Sequence, residues 1–161
     1  MLSSSGWSCR PPERNEVPIA GPPSGSGGTT IISALNVTVP GAVAGENIAA
    51  GQAVALIDNA GALEFFLCGS TTLPLQFYGF ATATVLAGDP LITTTGRGSV
   101  VTPVLEGGGS LTPDAPVYLA ATVGSVTHTA PTGSGETVYR VGFAIDLVLI
   151  VVNTDYRVAI P

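Results

Sequence analysis

Short apolar or β-branched runs, each closed by turn residues, set the pattern of this chain. Ala50-Gly51-Gln52-Ala53-Val54-Ala55-Leu56 is followed by Gly61 and an apolar pair. Ala87-Gly88-Asp89-Pro90-Leu91-Ile92-Thr93 leads to Gly98-Ser99-Val100-Val101, and Thr112-Pro113-Asp114-Ala115-Pro116-Val117-Tyr118-Leu119 to Gly124-Ser125-Val126-Thr127. Turn, run, Gly-marked turn and second run predict a β-hairpin, used three times. A second phrase, Gly-Phe-Ala, punctuates the copies as Tyr78-Gly79-Phe80-Ala81 and Val141-Gly142-Phe143-Ala144. It lies within the two longest strand candidates, Leu75 to Leu86 and Thr137 to Val152. A glycine inside a strand marks a bulge or a close backbone approach.

Ile31 to Val39 partly alternates and is expected to stop at the Pro40-Gly41 turn. No segment sustains a 3.6-residue apolar period free of Gly, Pro and Thr, so little helix is expected. Before the strands, Pro11-Pro12, Gly21-Pro22-Pro23 and Ser24-Gly25-Ser26-Gly27-Gly28 form a stretch too poor in apolar surface to order alone. It reads either as a disordered tail or as an arm that docks on a neighbour, and Trp7, Val17 and Ile19 within it suit the arm. The pattern predicts an all-β protein, a compact barrel or sandwich of short strands built from repeated hairpins. Residues 1–40 form its extended N-terminal arm and residues 41–161 its β-domain.

Composition changes the picture in one respect. Of 161 residues 45% are apolar, but only 10% are charged and none is Lys, where about 25% charged is usual. A surface covered by Thr, Ser, Gly and Ala suits a protein packed in an assembly better than a free monomer. The net charge of −6 argues against nucleic acid, which rewards clustered Lys and Arg. The longest apolar stretch, Ile145 to Val152, is interrupted by Asp146 and too short to span a bilayer, so no membrane is expected. The first seven residues offer no apolar run of the kind a secretion signal needs, which predicts a cytoplasmic origin.

Candidate chemistry is sparse. His128, the single histidine, sits between threonines and lacks the further His or Cys ligands a zinc site needs. Asp58, Asp89, Asp114 and Asp155 occupy turn contexts, where carboxylates bond nearby amides. Asp146 interrupts an apolar run, and either faces solvent on alternation or pairs with an Arg across a subunit contact. Cys9 and Cys68 make no disulfide framework and no CxxC. The glycine cluster at Ser24–Thr30 lacks the Lys of a phosphate-binding loop, and Gly107-Gly108-Gly109 reads as a flexible joint. These readings assign no catalytic, cofactor-binding or metal-binding residue, and the chain is expected not to be an enzyme. The adjacent pairs Phe65-Phe66 and Phe77-Tyr78 place one ring of each on the opposite strand face, which points to an oligomer contact.

Glu46 to Leu56, Tyr78-Gly79-Phe80-Ala81 and Ala87 to Ile92 together resemble the capsid decoration (cement) proteins of tailed bacteriophages. Ala115 to Leu119, Gly124-Ser125-Val126, Pro131 and Val141-Gly142-Phe143-Ala144 resemble β-modules of phage head and tail structural proteins. The similarity runs from about Gly45 to Pro161 and leaves the arm outside. It implies a virion protein assembled in the host cytoplasm, bound to the major capsid protein on the outside of the shell as a homotrimer. The alternative is a tail or head fibre knob that recognises a host glycan through loops at Gly107–Gly109 and Pro131–Gly135.

Overall fold

Asn36–Ala44 (β1), Ala53–Asn59 (β2), Ala62–Leu67 (β3), Phe77–Ala81 (β4) and Pro90–Thr94 (β5) close into a barrel of order β1-β3-β2-β4-β5. The computed structural model describes residues 35–71 and 76–159, the last five as backbone. Val100–Val101 (β6), Pro116–Leu119 (β7), Val126–Thr127 (β8), Thr137–Ala144 (β9) and Ile150–Ala159 (β10) form a second, curled sheet of order β6-β10-β9-β7-β8. No described residue is helical. The protein is all-β.

Local chemistry sets the first hairpin. β2 and β3 pair from Val54–Leu67 out to Asn59–Ala62, leaving Ala60-Gly61 as a two-residue turn. Both turn residues have positive φ, +54° and +91°, the backbone that matches strand twist. Asp58 Oδ1 accepts the Gly61 N–H at 2.7 Å. β2 is buried on both faces. Val54 points into the barrel with Ala42, Ala44, Ile48, Phe65, Ala81 and Leu91. Ala53 and Ala55 point the other way, joining Phe77 and Phe80 of β4 against Val117, Leu119, Val126, Val141, Ile150 and Val152 of the second sheet. Two cores thus share β2 and β4 as their common wall.

The two sheets are the same module used twice. In the first, Ala53, Val54 and Ala55 stand opposite Phe80, Gly79 and Phe77. In the second, Pro116, Val117 and Tyr118 stand opposite Phe143, Gly142 and Arg140. Every member of one set lies 63 residues from its counterpart, and both sets skip the residue before Arg/Phe-paired register resumes, Tyr78 in one and Val141 in the other. The turn hydrogen bonds repeat as well. Gly51 N–H donates to Ala81 O and Ala81 N–H to Gln52 O, as Asp114 N–H does to Ala144 O and Ala144 N–H to Ala115 O, all at 2.8–3.0 Å. Gly51 and Asp114 both take positive φ, +80° and +63°. Strand order repeats too, β3-β2-β4-β5 matching β8-β7-β9-β10.

Closure is where the modules part. β1 runs antiparallel to β5, kinks after Thr38, and continues parallel to β3, so it seals the barrel. Its counterpart β6 pairs with only Ile150 and Val151 of β10. A single parallel bridge then joins Leu105 to Val126 of β8. The second sheet curls but is not sealed by strand pairing.

Several expectations need correction. The first and third hairpin phrases are hairpins, but the middle one is not: β5 pairs with β4 and β1, and β6 with β10 in the other sheet. Gly96 and Gly98, both at positive φ, carry the chain out of the barrel between them. Pro40-Gly41 does not end a strand; β1 runs through it as an irregularity, Gly41 taking φ +78°. β1 therefore starts at Asn36, inside the stretch assigned to the arm. Thr137 to Val152 is not one strand but two, with a tip at residues 145–149. Among the described residues of the other long candidate, only Phe77–Ala81 is strand. Residues 1–34, with Cys9, Trp7 and most of the expected arm, lie outside the described residues.

Candidate functional site

Glycine makes both bulges possible. A Cβ on Gly79 would stand 2.6 Å from Thr94 O, and one on Gly142 would run into Val151 O. The bulge at Tyr78 lets Phe77 and Phe80, three residues apart, share one face with their rings 5.1 Å apart. Tyr78 turns into the barrel, 5.6 Å from Phe65. The remaining ring, Phe66, lies over Gly45, where a Cβ would strike it. The rings expected to mark a subunit contact are therefore used within the chain, and that motive for an oligomer disappears.

The acidic residues serve the backbone. Asp89 Oδ2 accepts the Leu86 N–H at 3.4 Å. Asp146 Oδ1 accepts two amides, Val148 N–H at 2.7 Å and Leu149 N–H at 2.6 Å, and so builds the β9–β10 tip. It sits in this tip rather than at an alternating strand position. Glu136 holds the 133–136 turn through Gly133 N–H at 2.5 Å. Glu106 Oε1 accepts the Thr122 N–H at 3.0 Å, and hydrogen bonding from Thr122 holds its carboxyl below the usual range. Asp155 is described only as backbone.

His128 is likewise engaged. Its Nε2 faces the Thr112 N–H at 2.9 Å and its Nδ1 faces Pro116 O at 3.3 Å. A carbonyl only accepts, so Nδ1 is the donor there and Nε2 the acceptor, and the ring pins the 112–116 segment to the bend that follows β8. Cys68 is buried, and desolvation pushes its thiol up to about 12, which keeps it protonated and unreactive. Among the described residues no three His, Cys, Asp or Glu side chains gather as a metal site. Nor is any described helix long and apolar enough to cross a membrane.

What the fold does present is an apolar tip. Ile145, Leu147 and Val148 are 48%, 58% and 55% exposed. They are held by the Asp146 carboxylate, by Ile145 N–H to Leu149 O at 2.9 Å, and by Leu111 N–H to Leu147 O at 2.8 Å. Beside them opens a cleft of about 320 Å³ lined by Pro103, Leu105, Gly108, Leu111, Leu147 and Val148. The counterpart region of the first module is tied more tightly. Ile48 and Val85 exchange both backbone bonds, at 3.1 and 2.8 Å, and Asn47 Oδ1 accepts the Ala87 N–H at 3.0 Å. The cleft is thus the looser copy of a joint that the barrel ties shut. Sequence reasoning missed this surface because Ile145–Val148 reads as strand interior. Its signal was Asp146, a turn-forming residue in an apolar run.

No protein-family model matches the sequence, and no curated protein matches it. The resemblance to capsid decoration proteins therefore rests on its turn-and-strand phrases alone.

Proposed function

We propose that this chain is a non-catalytic structural subunit that attaches to the outer surface of a bacteriophage shell through contacts with the major capsid protein. The observation that carries the reading is the preorganised apolar tip at Ile145, Leu147 and Val148 beside a cleft without a titratable side chain. Such a site has no titratable side chain to transfer a proton, and it offers apolar area that gains free energy when covered. The acidic, Lys-free composition supports an exterior position, away from packaged DNA. Binding to the assembled lattice rather than to loose subunits would add its free energy to shell stability. A homotrimer is the state the phage resemblance implies, since several tips engaging together multiply a weak contact.

The test compares particles carrying the full chain with particles stripped of it, by the temperature of DNA release. Decorated particles should release DNA at the higher temperature, and Leu147→Asp should abolish attachment without unfolding the chain. Equal release temperatures, with host attachment lost on stripping, would favour the glycan-binding knob instead.

A further inference from the structure

The two modules differ in one added piece of structure. β5 ends at Thr94, and the barrel position of Thr94, opposite Phe80, corresponds to Val151, opposite Phe143. β10 does not stop there but runs on to Ala159, paired with a matching extension of β9 through Tyr156–Arg140, Arg157–Tyr139, Val158–Val138 and Ala159–Thr137. Among the described residues this ribbon has no counterpart in the first module.

Among the described residues its outer edge is open past Val152. β6 covers Ile150 and Val151, and Gly98 N–H and Ser99 O cover Val152. Beyond that, among the described residues, no strand pairs with residues 153–159 on the side away from β9. The opposite end of the same sheet is treated differently: β8 is covered by Val104 and Glu106, whose backbones bond Val126 at 2.8 and 2.9 Å. The barrel has no edge at all. A run of seven strand residues with no described partner on one side is a template for another strand, and it contains neither Pro nor Lys to block one.

We propose that this edge pairs antiparallel with the same edge of a second copy of the chain, about a two-fold axis at Tyr156. The sequence Thr154-Asp155-Tyr156-Arg157-Val158 selects that partner and that direction. Antiparallel pairing centred on Tyr156 sets Asp155 opposite Arg157 of the second copy, and Arg157 opposite its Asp155. Thr154 falls opposite Val158. Parallel in-register pairing would set like charge beside like, which is unfavourable. An edge of mixed charge repels most strands and accepts its own reverse. The contact is isologous, so it closes at two copies and cannot itself propagate. The inference does not depend on the attachment proposed above, and it concerns a different face: a chain that never binds a shell would still form this pair.

Sedimentation of the full chain over a range of concentrations tests it. The expected result is reversible formation of an even-numbered species, a dimer, or a hexamer where trimers also form. Arg157→Asp should weaken that association about tenfold, since like charges then face each other twice across the axis. Asp155→Arg combined with Arg157→Asp should restore it, a rescue that a merely misfolded ribbon would not show. A chain that stays monomeric or only trimeric at every concentration overturns the proposal, as does an association unaffected by Arg157→Asp or unrescued by the double change. Protection, in a monomeric full chain, of those amides of residues 154–159 that point away from β9 would also overturn it, by showing that the chain covers its own edge.

Discussion

Phe80 and Phe143 lie 63 residues apart, at the same register position in two copies of one module, and live in different surroundings. Phe80 is 1% exposed, enclosed between the barrel and the second sheet. Phe143 is half-buried, with the Arg140 guanidinium 4.7 Å over its ring. The first module spends its outer β2–β4 face on its neighbour, whereas the second keeps the matching face for a charged partner and solvent. The same contrast holds at the rim, where a tied joint in the first module corresponds to an open cleft in the second, and at the edge, where a closed barrel corresponds to an extended ribbon. One module acts as a sealed base. The other carries the open cleft and the extended ribbon.

The largest expected effect comes from truncating the two rings. Phe80→Ala should destabilise the chain by about 4 kcal/mol and Phe143→Ala by about 1 kcal/mol, measured by urea unfolding, because only the first leaves a cavity in a core. Equal losses would break the claim that the two faces differ. The glycines sharpen the claim from the other side. Gly79→Ala and Gly142→Ala should each cost on the order of 3 kcal/mol, since both new methyls meet backbone carbonyls. A harmless change at either would mean the bulges are not equivalent.

Cys68 gives a pH test of the core between the barrel and the second sheet. Its thiol is raised from about 9 to about 12, so the folded chain keeps a proton that the unfolded chain has lost. Stability from this group is constant below pH 9 and falls as pH rises from about 9 to about 12, by about 1.4 kcal/mol per unit at most. Cys68→Ala should flatten that slope. An unchanged slope would place its origin elsewhere.

The smallest effect concerns the repeated turn. Asp114→Gly should stabilise by about 0.5 kcal/mol, because Asp114 pays for positive φ that glycine adopts freely. Gly51→Asp should instead destabilise, since a Cβ there would strike Thr102 O. Thermal unfolding of the two variants reads the difference, and a shift of the same sign in both would contradict it.

Much of this architecture could be read from the residues. Turn residues and short β-branched runs mark the strands, and Gly79 and Gly142 mark the bulges, because those signals are local. Pairing partners are not local. Pro90–Thr94 and Val100–Val101 look like the two arms of a hairpin, but nothing in either run says that one belongs to β1 and β4 and the other to β10. The same ambiguity made three hairpins of what is one module repeated twice. The apolar tip was hidden for a related reason: Ile145, Leu147 and Val148 have strand-like side chains, and only the Asp146 carboxylate bonding two amides turns the chain there.

Hydrogen exchange of the full chain at low and high concentration tests the contrast between sealed and open modules most directly. The barrel strands within residues 36–94 should be protected equally at both concentrations, and those amides of residues 153–159 that point away from β9 should gain protection only at the higher one. Protection that is the same in both modules and indifferent to concentration would contradict the account.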